Sequence, residues 1–332
     1  MPFRLCLVCH RYQLTREYRS VHQALDRRFD ITRVFVDDGW PSSVADVPDH
    51  ESYDAFLWFV RFREFRTRPE FNWGGYHGAR LMYDQDVCQD FTRILGTSML
   101  GKWPDVFRRN EFHVLICTGK RTRDHLLERG VDAYWLPKAY DPHFFHDLGC
   151  ERSGLSFFGE PYRARLAMLT HLDRNCIAYA RFRSSYEELN HHLNRYLGCL
   201  ICNMEGIPPA GWRRLVNLFV RGHGVTVQPG PETMLKNFEV AGAGCVPISD
   251  YMPEHDELGF QDAVSSVLYE SFDELVEKLR HYETRPEELV AIGRQAAELV
   301  RSRHTWDHRA AAIEDLIVSR MPATALRPTI AK

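Results

Sequence analysis

The chain has 332 residues, of which 44% are hydrophobic and 26% charged, and its formal net charge is −3. This composition is typical of a soluble globular protein and excludes collagen-like, low-complexity and coiled-coil chains. Since a single hydrophobic core stops growing near roughly 250–300 residues, the length favours two domains.

The first residues and the cysteines together predict the cellular compartment. A very short apolar stretch lies between Arg4 and Arg11, which predicts a first β-strand and not a secretory signal. No window approaches 18 uncharged apolar residues, so we expect no membrane-spanning helix. The nine cysteines, an odd number, are expected to be reduced thiols. We therefore predict a cytoplasmic protein.

Two C-x-x-C pairs resemble metal or haem-attachment motifs: Cys6 with Cys9, which His10 follows, and Cys199 with Cys202. Each pair lies inside an apolar run of strand type. Because residues three apart on a strand point to opposite faces, neither pair can coordinate one metal ion with both thiols. We predict buried core thiols and no metal site.

Strand and helix patterns alternate along the first half of the chain. Apolar runs of strand type occur at residues 3–9, 31–36, 53–60, 79–84, 112–117 and 132–137. The run "YDAFLWFV" is nearly continuous, as expected of a parallel strand buried on both faces. Helical spacing predicts a helix through Leu14, Tyr18, Val21 and Leu25, and Thr118 is the expected cap of a helix that ends before Gly130.

The alternation restarts after residues 138–153, which carry no periodic pattern and read as a linker. Further strands are predicted at residues 155–160, 177–182, 197–202, 244–249 and 263–269. Further helices are predicted at residues 162–174, 185–196, 272–282, 286–303 and 306–320. This α/β pattern predicts two doubly wound parallel sheets, with ligands at the carboxyl ends of the strands in a cleft between the domains.

Several stretches resemble one family. They are "GVDAYWLPKAYDPHFF", "LSFFGEPYRARLAML", "GPETMLKNFEVAGAGCVPISDY" and the helical region 271–309. They are similar to group 1 GT-B glycosyltransferases, closest to the spore-maturation-protein-like branch, and the similarity is continuous from about residue 114 to 309. The resemblance implies GT-B architecture, with two Rossmann-like domains facing a cleft. It also implies a nucleoside-diphosphate sugar as co-substrate, no cofactor and no metal.

With this resemblance we expect residues 1–150 to form an acceptor-side domain and residues 151–305 to bind the nucleotide sugar. Residues 306–332 would be a C-terminal helix and tail, the helix packing back on the first domain. The base of the nucleotide stays open among UDP, GDP, ADP, CDP and dTDP, and the donor sugar is equally open.

The resemblance assigns donor binding to a helix expected to begin at Glu232. Glu239 matches the carboxylate that bonds the ribose, since an ionised carboxylate accepts from two adjacent hydroxyls. Lys236 matches a basic position, and its charge suits a diphosphate near the free N–H groups of the helix start. Gly230 makes a turn before the helix, either as a donor loop or as plain punctuation, and Thr233 is a further donor-binding candidate.

A second donor contact is expected at the turn after a buried strand. Gly159 there lets backbone amides approach a phosphate. The family places an arginine where Arg165 stands, which would stabilise the departing diphosphate. One feature departs from the family: many retaining members carry two glutamates eight apart, but Pro231 stands eight residues before Glu239. Retention or inversion of the anomeric centre therefore stays open.

An inverting enzyme needs a general base, which we expect at the carboxyl ends of the first domain's strands. The candidates are His10, His77 and Asp84. Arg61 and Arg63 open a segment of alternating arginine and phenylalanine that suits an anionic or ring-bearing acceptor. The acceptor is thus a small molecule, a glycan or a nucleic acid.

The leading hypothesis is a glycosyltransferase that moves a sugar from a nucleoside diphosphate to an acceptor hydroxyl. One alternative is a non-catalytic GT-B scaffold that binds a glycan or nucleotide, which the missing glutamate favours. Another is a glycosyltransferase that acts on a modified nucleic-acid base, for which the arginine and phenylalanine segment is the support.

Overall fold

The computed structural model describes residues 2–15, 18–61, 64–65, 68–85, 92–93, 103–161, 164–203, 225–226 and 232–321. The chain divides into two compact units. The first unit comprises residues 1–137, 224–230 and 307–332, and the second comprises residues 138–223 and 231–306. In neither unit is any described helix long and apolar enough to cross a membrane.

The first unit is built on a parallel sheet in the order β2-β1-β3-β4-β6-β7. The strands of this sheet are β1 Arg4–Cys9, β2 Asp30–Phe35, β3 Ala55–Phe59, β4 Ala79–Asp84, β6 Val114–Cys117 and β7 Ala133–Trp135. Two short strands, β5 Thr92–Arg93 and β11 Val225–Thr226, form a separate antiparallel pair. All of β3 is buried, as its continuous apolar pattern predicts. Its helices are α1 Arg19–Arg28, α2 Trp103–Arg109, α3 Lys120–Leu127 and α10 Trp306–Arg320, the last belonging to this unit from Asp307 onward.

The second unit has a parallel sheet in the order β13-β12-β10-β8-β9. Its strands are β8 Leu155–Phe158, β9 Ala180–Phe182, β10 Gly198–Ile201, β12 Val246–Asp250 and β13 Val267–Tyr269. Its helices are α4 Ala164–Arg174, α5 Leu189–Leu193, α6 Leu235–Gly242, α7 Glu254–Leu258, α8 Phe272–Glu283 and α9 Pro286–Arg303. Two parallel α/β sheets confirm the predicted fold class.

The expected bounds of several elements were wrong, for local reasons. The first helix begins only at Arg19, because residues 11–14 form a separate 3-10 turn. Thr118 caps no helix, since its hydroxyl donates to the carbonyl of Gln85 at 2.8 Å and α3 starts after Gly119. The helix expected at 185–196 is reduced to α5.

The segment 138–150 belongs by its contacts to the second unit, whereas the sequence analysis places it in the first domain. The amide of Tyr140 donates to the carbonyl of His304 at 3.1 Å. The side-chain oxygens of Asn190 and Asn194 accept from the amides of His146 and Leu148, at 3.2 and 2.8 Å. These bonds explain why a stretch without periodicity is nonetheless fixed.

The helix α10 is tied to the first unit through charged side chains. Arg27 contacts Asp307 at 2.8 Å and Arg28 donates to Glu314 at 2.6 Å, both from α1. The buried Arg309 donates to the carbonyl of Pro137 at 2.7 Å. The chain therefore returns to its first sheet after completing the second.

The four cysteines of the C-x-x-C pairs are free and buried. Burial raises the pKa of Cys9 to about 12 and that of Cys199 to about 11, so both are thiols at neutral pH. The interpretation of these residues as core thiols is confirmed.

Candidate functional site

Both sheets contain a position where the strand order reverses, and in open α/β sheets ligands bind at the carboxyl ends of the strands at that position. In the first unit it lies between β1 and β3, which His10 and Arg61 closely follow. In the second unit it lies between β8 and β10, which Gly159 and Cys202 follow. Functional side chains are therefore expected at these two positions.

In the second unit, Glu239 lies on α6 and is only 3% exposed. Its Oε1 accepts a hydrogen bond from the hydroxyl of Tyr186 at 2.9 Å. The ring of Tyr186 stacks on Phe144, with centroids 5.0 Å apart and planes 22° apart, and meets the edge of Phe145. A buried carboxylate is thus held by an aromatic side chain that is itself fixed by stacking.

Lys236, one turn earlier on α6, lies against the turn after β8. Its Nζ donates to the carbonyl of Phe158 and lies 4.0 Å from the centroid of the Phe158 ring. Burial, with a smaller contribution from Arg165, lowers the pKa of Lys236 to about 8. Gly159 has a φ of +91°, and a Cβ at that position would come within 2.7 Å of the lysine Nζ. The positive φ favours glycine here, and any side chain at this position would displace the end of Lys236.

Arg165, in the first turn of α4, extends toward the same region. Its guanidinium lies 3.0 Å from the sulfur of Met234 and 3.5 Å from the carbonyl of Cys202 at the end of β10. The structure therefore brings Lys236, Gly159 and Arg165 together at the reversal point of the second sheet. Two cations beside a strained glycine turn make an electropositive environment suited to a phosphate.

The residues before α6 differ from expectation, because the helix starts at Leu235 and not at Glu232. The amide of Thr233 donates to Glu254 at 2.9 Å, and the amide of Met234 donates to the side chain of Asn203 at 3.1 Å. These groups are therefore engaged by the protein. The Thr233 hydroxyl is buried and has no hydrogen-bond partner among the described residues. Gly230 lies outside the described residues.

Glu232 occupies the place next to the missing glutamate and is buried. Its carboxylate forms an ion pair with Lys138 at 2.6 Å, with side chains that are 7% and 13% exposed. Lys138 is a charged residue of this region that sequence reasoning missed. The signal was present, because Lys138 lies inside the stretch "GVDAYWLPKAYDPHFF" that carries the family resemblance.

In the first unit, His10 directly follows β1 and lies between two carboxylates. Its Nε2 is 3.0 Å from Glu64, and its Nδ1 is 3.3 Å from Asp37, which follows β2. Hydrogen bonding to Glu64 is the main cause that raises the pKa of His10 above its ordinary value. Neither carboxylate was predicted, although Glu64 belongs to the arginine and phenylalanine segment already singled out.

Asp84 and Arg61 extend this cluster across the neighbouring strands. The amide of Arg61 donates to Glu64 at 3.1 Å, and its guanidinium is 4.0 Å from the carboxylate of Asp84 at the end of β4. Asp84 is 1% exposed. His10, Arg61 and Asp84 are thus brought together, and Arg63 lies outside the described residues.

His77 is not part of this cluster, and its expected placement was wrong. It is exposed and lies two residues before β4, at the amino end of that strand. Because β3 and β4 are parallel, the connection between them must return to the amino edge, and His77 lies near its end. Among the described residues, no group of three or more His, Cys, Asp or Glu side chains is arranged to hold a metal ion.

Comparisons with known proteins bear on the same regions. Residues 205–315 match the model of a family described as glycosyl transferase-like. A search of curated proteins gives no match. The sucrose-phosphate synthase of Thermosynechococcus elongatus has a similar structure, with a TM-score of 0.55 and 10% sequence identity, covering 96% of this chain and 98% of the other.

Two further structures match over nearly their whole length. HepE from Anabaena, solved with UDP and glucose, has a TM-score of 0.56 at 9% identity, covering 96% of this chain and 100% of the other. A DNA-modifying β-glucosyltransferase has a TM-score of 0.54 at 10% identity, covering 95% and 99%. At such low identity these matches show the fold. The chain has the two-domain GT-B fold of these glycosyltransferases, and about a third of it, including α6, matches the glycosyl transferase-like family.

Proposed function

We propose that this protein is a glycosyltransferase that moves a sugar from a nucleoside-diphosphate sugar to an acceptor hydroxyl. The observation that carries the proposal is the buried carboxylate of Glu239, one turn from the partly dehydrated ammonium of Lys236. Both lie in the segment that matches the glycosyl transferase-like family. A carboxylate beside a cationic turn suits the ribose and diphosphate of one ligand. We also propose that the chain belongs to the spore-maturation-protein-like branch of these enzymes.

The donor diphosphate is expected to meet Lys236 and Arg165 at the turn of Gly159. Two cations preorganised in a dehydrated environment stabilise the charge that develops on a leaving diphosphate. We therefore propose that these side chains take the place of a metal ion. Transfer that persists unchanged in excess EDTA supports this, and restoration by added Mg²⁺ or Mn²⁺ after loss in EDTA contradicts it.

On the acceptor side, we propose His10 as the general base of an inverting transfer. The acceptor oxygen would bond to the anomeric carbon, the bond to the diphosphate oxygen would break, and the acceptor proton would pass to the imidazole. Glu64 holds one ring nitrogen at 3.0 Å. The longer contact from the other nitrogen to the more exposed Asp37, at 3.3 Å, is the one that an acceptor hydroxyl would replace. Asp84 is the second candidate.

The first test is calorimetric titration with UDP, GDP, ADP, CDP and dTDP. We expect one or more to bind the wild type and Glu239→Gln to lose affinity by about ten- to a hundredfold, since hydrogen bonds to charged groups contribute about 1.5–3 kcal/mol. Glu277→Gln, a substitution of an exposed glutamate on α8, is the matched control and should bind normally. Unchanged affinity in Glu239→Gln would contradict the proposed site.

A non-catalytic GT-B scaffold is the second candidate, favoured by one observation. The acid beside the missing glutamate, Glu232, is paired with Lys138 instead of facing an open position. Turnover separates the two candidates: release of free nucleotide from a sugar donor, stimulated by cell extract as an acceptor source, requires an enzyme. Nucleotide binding without any release under these conditions favours the scaffold.

A modified nucleic-acid base as acceptor has less support from the charges. Among the described arginines of the region, Arg11 pairs with Asp38, and Arg61 lies 4.0 Å from Asp84. Backbone phosphates require several cations that can neutralise them. A glycan or small-molecule hydroxyl is therefore the preferred acceptor, and salt-sensitive DNA or RNA binding that Arg61→Ala abolishes would reverse this preference.

A further inference from the structure

Tyr186 and Glu239 form a contact that differs from the other tyrosine–carboxylate bonds of the second unit. Tyr179 donates to Asp173 at 2.8 Å and Tyr251 donates to Asp256 at 2.7 Å. Both of those carboxylates are exposed to solvent, whereas Glu239 is 3% exposed. Water can replace the tyrosine at an exposed carboxylate but not at a buried one.

The tyrosine is itself held in place by neighbouring aromatic rings. Its ring stacks on Phe144 and meets the edge of Phe145 with centroids 5.5 Å apart. The amide of Phe145 donates to the carbonyl of Asp141 at 2.8 Å, which closes the turn that carries both phenylalanines. Because the two phenylalanine rings contact Tyr186 on its face and edge, they restrict where its hydroxyl lies, and the hydroxyl in turn orients the Glu239 carboxylate.

We propose that Tyr186 is a positioning residue for Glu239, and that the pair makes the site select ribonucleoside over 2′-deoxyribonucleoside diphosphates. The inference rests on the proposed function, because it takes Glu239 as the group that meets the ribose. It adds that the donor nucleotide is a ribonucleoside diphosphate and that Tyr186 acts through Glu239.

The selectivity follows from hydrogen-bond accounting at a buried acceptor. An ionised carboxylate has about four acceptor directions, and the Tyr186 bond occupies one of them and orients the group. A ribose presents two adjacent hydroxyl donors, whereas a 2′-deoxyribose presents one. A buried acceptor that loses a donor costs about 1–3 kcal/mol. The fixed carboxylate therefore penalises the deoxy ligand, and a carboxylate freed to rotate can partly avoid the penalty.

The experiment takes the ribonucleoside diphosphate that binds the wild type most tightly, written here as UDP, and compares it with its 2′-deoxy analogue by calorimetry in the wild type, Tyr186→Phe and Tyr179→Phe. We expect the wild type to prefer UDP by about ten- to a hundredfold. In Tyr186→Phe, UDP affinity should fall several-fold, while 2′-deoxy-UDP affinity should change less, so that the preference shrinks. Tyr179→Phe removes an equivalent bond at an exposed carboxylate and should leave both affinities unchanged. For a sugar donor, Tyr186→Phe should raise KM with kcat retained.

Two results would overturn the inference. One is a Tyr186→Phe protein whose preference for UDP equals that of the wild type. The other is a wild type that binds both nucleotides equally while Glu239→Gln still loses UDP. Failure of the proposed function looks different, because then Glu239→Gln would bind UDP as the wild type does. If Tyr186→Phe does not fold, Phe144→Leu, which removes the stacking partner, should shift the preference in the same direction.

Discussion

The two units shift the pKa of a basic side chain in opposite directions. In the second unit, Lys236 is buried, and desolvation lowers its pKa to about 8. In the first unit, His10 is partly exposed, and the carboxylate of Glu64 raises its pKa. The environment of Lys236 holds a cation that is stabilised when an anion binds beside it. The environment of His10 already supplies the counter-charge, so it suits an uncharged ligand or a proton transfer.

Burying charge is costly, so the second unit is expected to be the more sensitive to substitution. A buried ion pair contributes little over an apolar pair, but removal of one partner leaves an uncompensated charge inside the protein. An exposed pair leaves its survivor in water. Substitutions at buried and at exposed ion pairs therefore test this difference in the free energy of unfolding.

The largest expected effect is at the buried ion pair between Lys138 and Glu232. Lys138→Met should lower the free energy of unfolding by about 3–5 kcal/mol, because it removes the ammonium group that lies 2.6 Å from the buried Glu232 carboxylate. Urea denaturation monitored by circular dichroism measures this. Arg183→Met, which breaks the exposed pair with Glu160 in the same unit, is the control and should change stability by less than about 1 kcal/mol.

The double variant Lys138→Met/Glu232→Leu sharpens this test. It removes both charges at once, so most of the lost stability should return. If the double variant is as unstable as Lys138→Met, the loss comes from packing and not from the unpaired charge.

The sequence predicted the sheets and long helices well because their signals are periodic. Pro286–Arg303 and Trp306–Arg320 have the predicted bounds, and β3 was evident as a continuous apolar run. The errors arose where hydrogen bonds join residues that are distant in the sequence. Thr118 satisfies a distant carbonyl instead of a helix end, and α6 starts three residues later than Glu232.

The individual site residues were named where a family pattern covered them, but their partners were not. Tyr186 is 53 residues from Glu239, and Glu64 is 54 residues from His10. No local periodicity reports a contact across such a distance. The error at His77 has a related cause, since its position depends on where the long connection from β3 returns to the sheet.

A second histidine of the first unit should show the opposite behaviour to His10. His22 is 2% exposed, and neither ring nitrogen has a hydrogen-bond partner within the described residues. Burial lowers its pKa to about 3, so the folded state keeps it neutral while the unfolded chain is protonated below about 6.5. Its share of the free energy of unfolding should fall by about 1.4 kcal/mol per pH unit below 6.5, reaching about 2.7 kcal/mol at pH 4.5.

Urea denaturation of the wild type and His22→Leu between pH 7 and 4.5 measures this slope. The wild type should lose stability faster as the pH falls, since only its unfolded state gains a proton at this position. His50→Leu, in a short 3-10 turn of the same unit, serves as the comparison. Parallel curves for the wild type and His22→Leu would show that His22 is protonated in the folded protein.

The lowered pKa of Lys236 predicts how donor affinity depends on pH. Below about 8 the lysine is already charged, so UDP affinity should be independent of this group. Above about 8 binding requires uptake of a proton, and affinity should fall by up to about tenfold per pH unit until the higher pKa of the bound state is reached. Calorimetry between pH 7 and 9.5 measures this.

The control for that profile is Lys236→Arg, which keeps a permanent charge. It should flatten the alkaline decline, although the larger guanidinium will change the affinity itself. A decline that is the same in the wild type and in Lys236→Arg would place the titrating group elsewhere, and the contrast between the two units would then lose its strongest electrostatic support.

The smallest expected effect concerns His10 and distinguishes its two carboxylate partners. Glu64→Gln should lower the pKa of His10 by more than Asp37→Asn does, because Glu64 lies 3.0 Å from the imidazole and Asp37 lies 3.3 Å from it. A larger effect of Asp37→Asn would show that the longer contact dominates. An NMR titration of the imidazole measures both. Because the folded pKa is raised, the stabilisation from these bonds is complete below about 6.5 and lost as the pH rises through the raised value. If His10 is the base, transfer requires the neutral imidazole, so Glu64→Gln should also move the acid limb of the rate profile to lower pH.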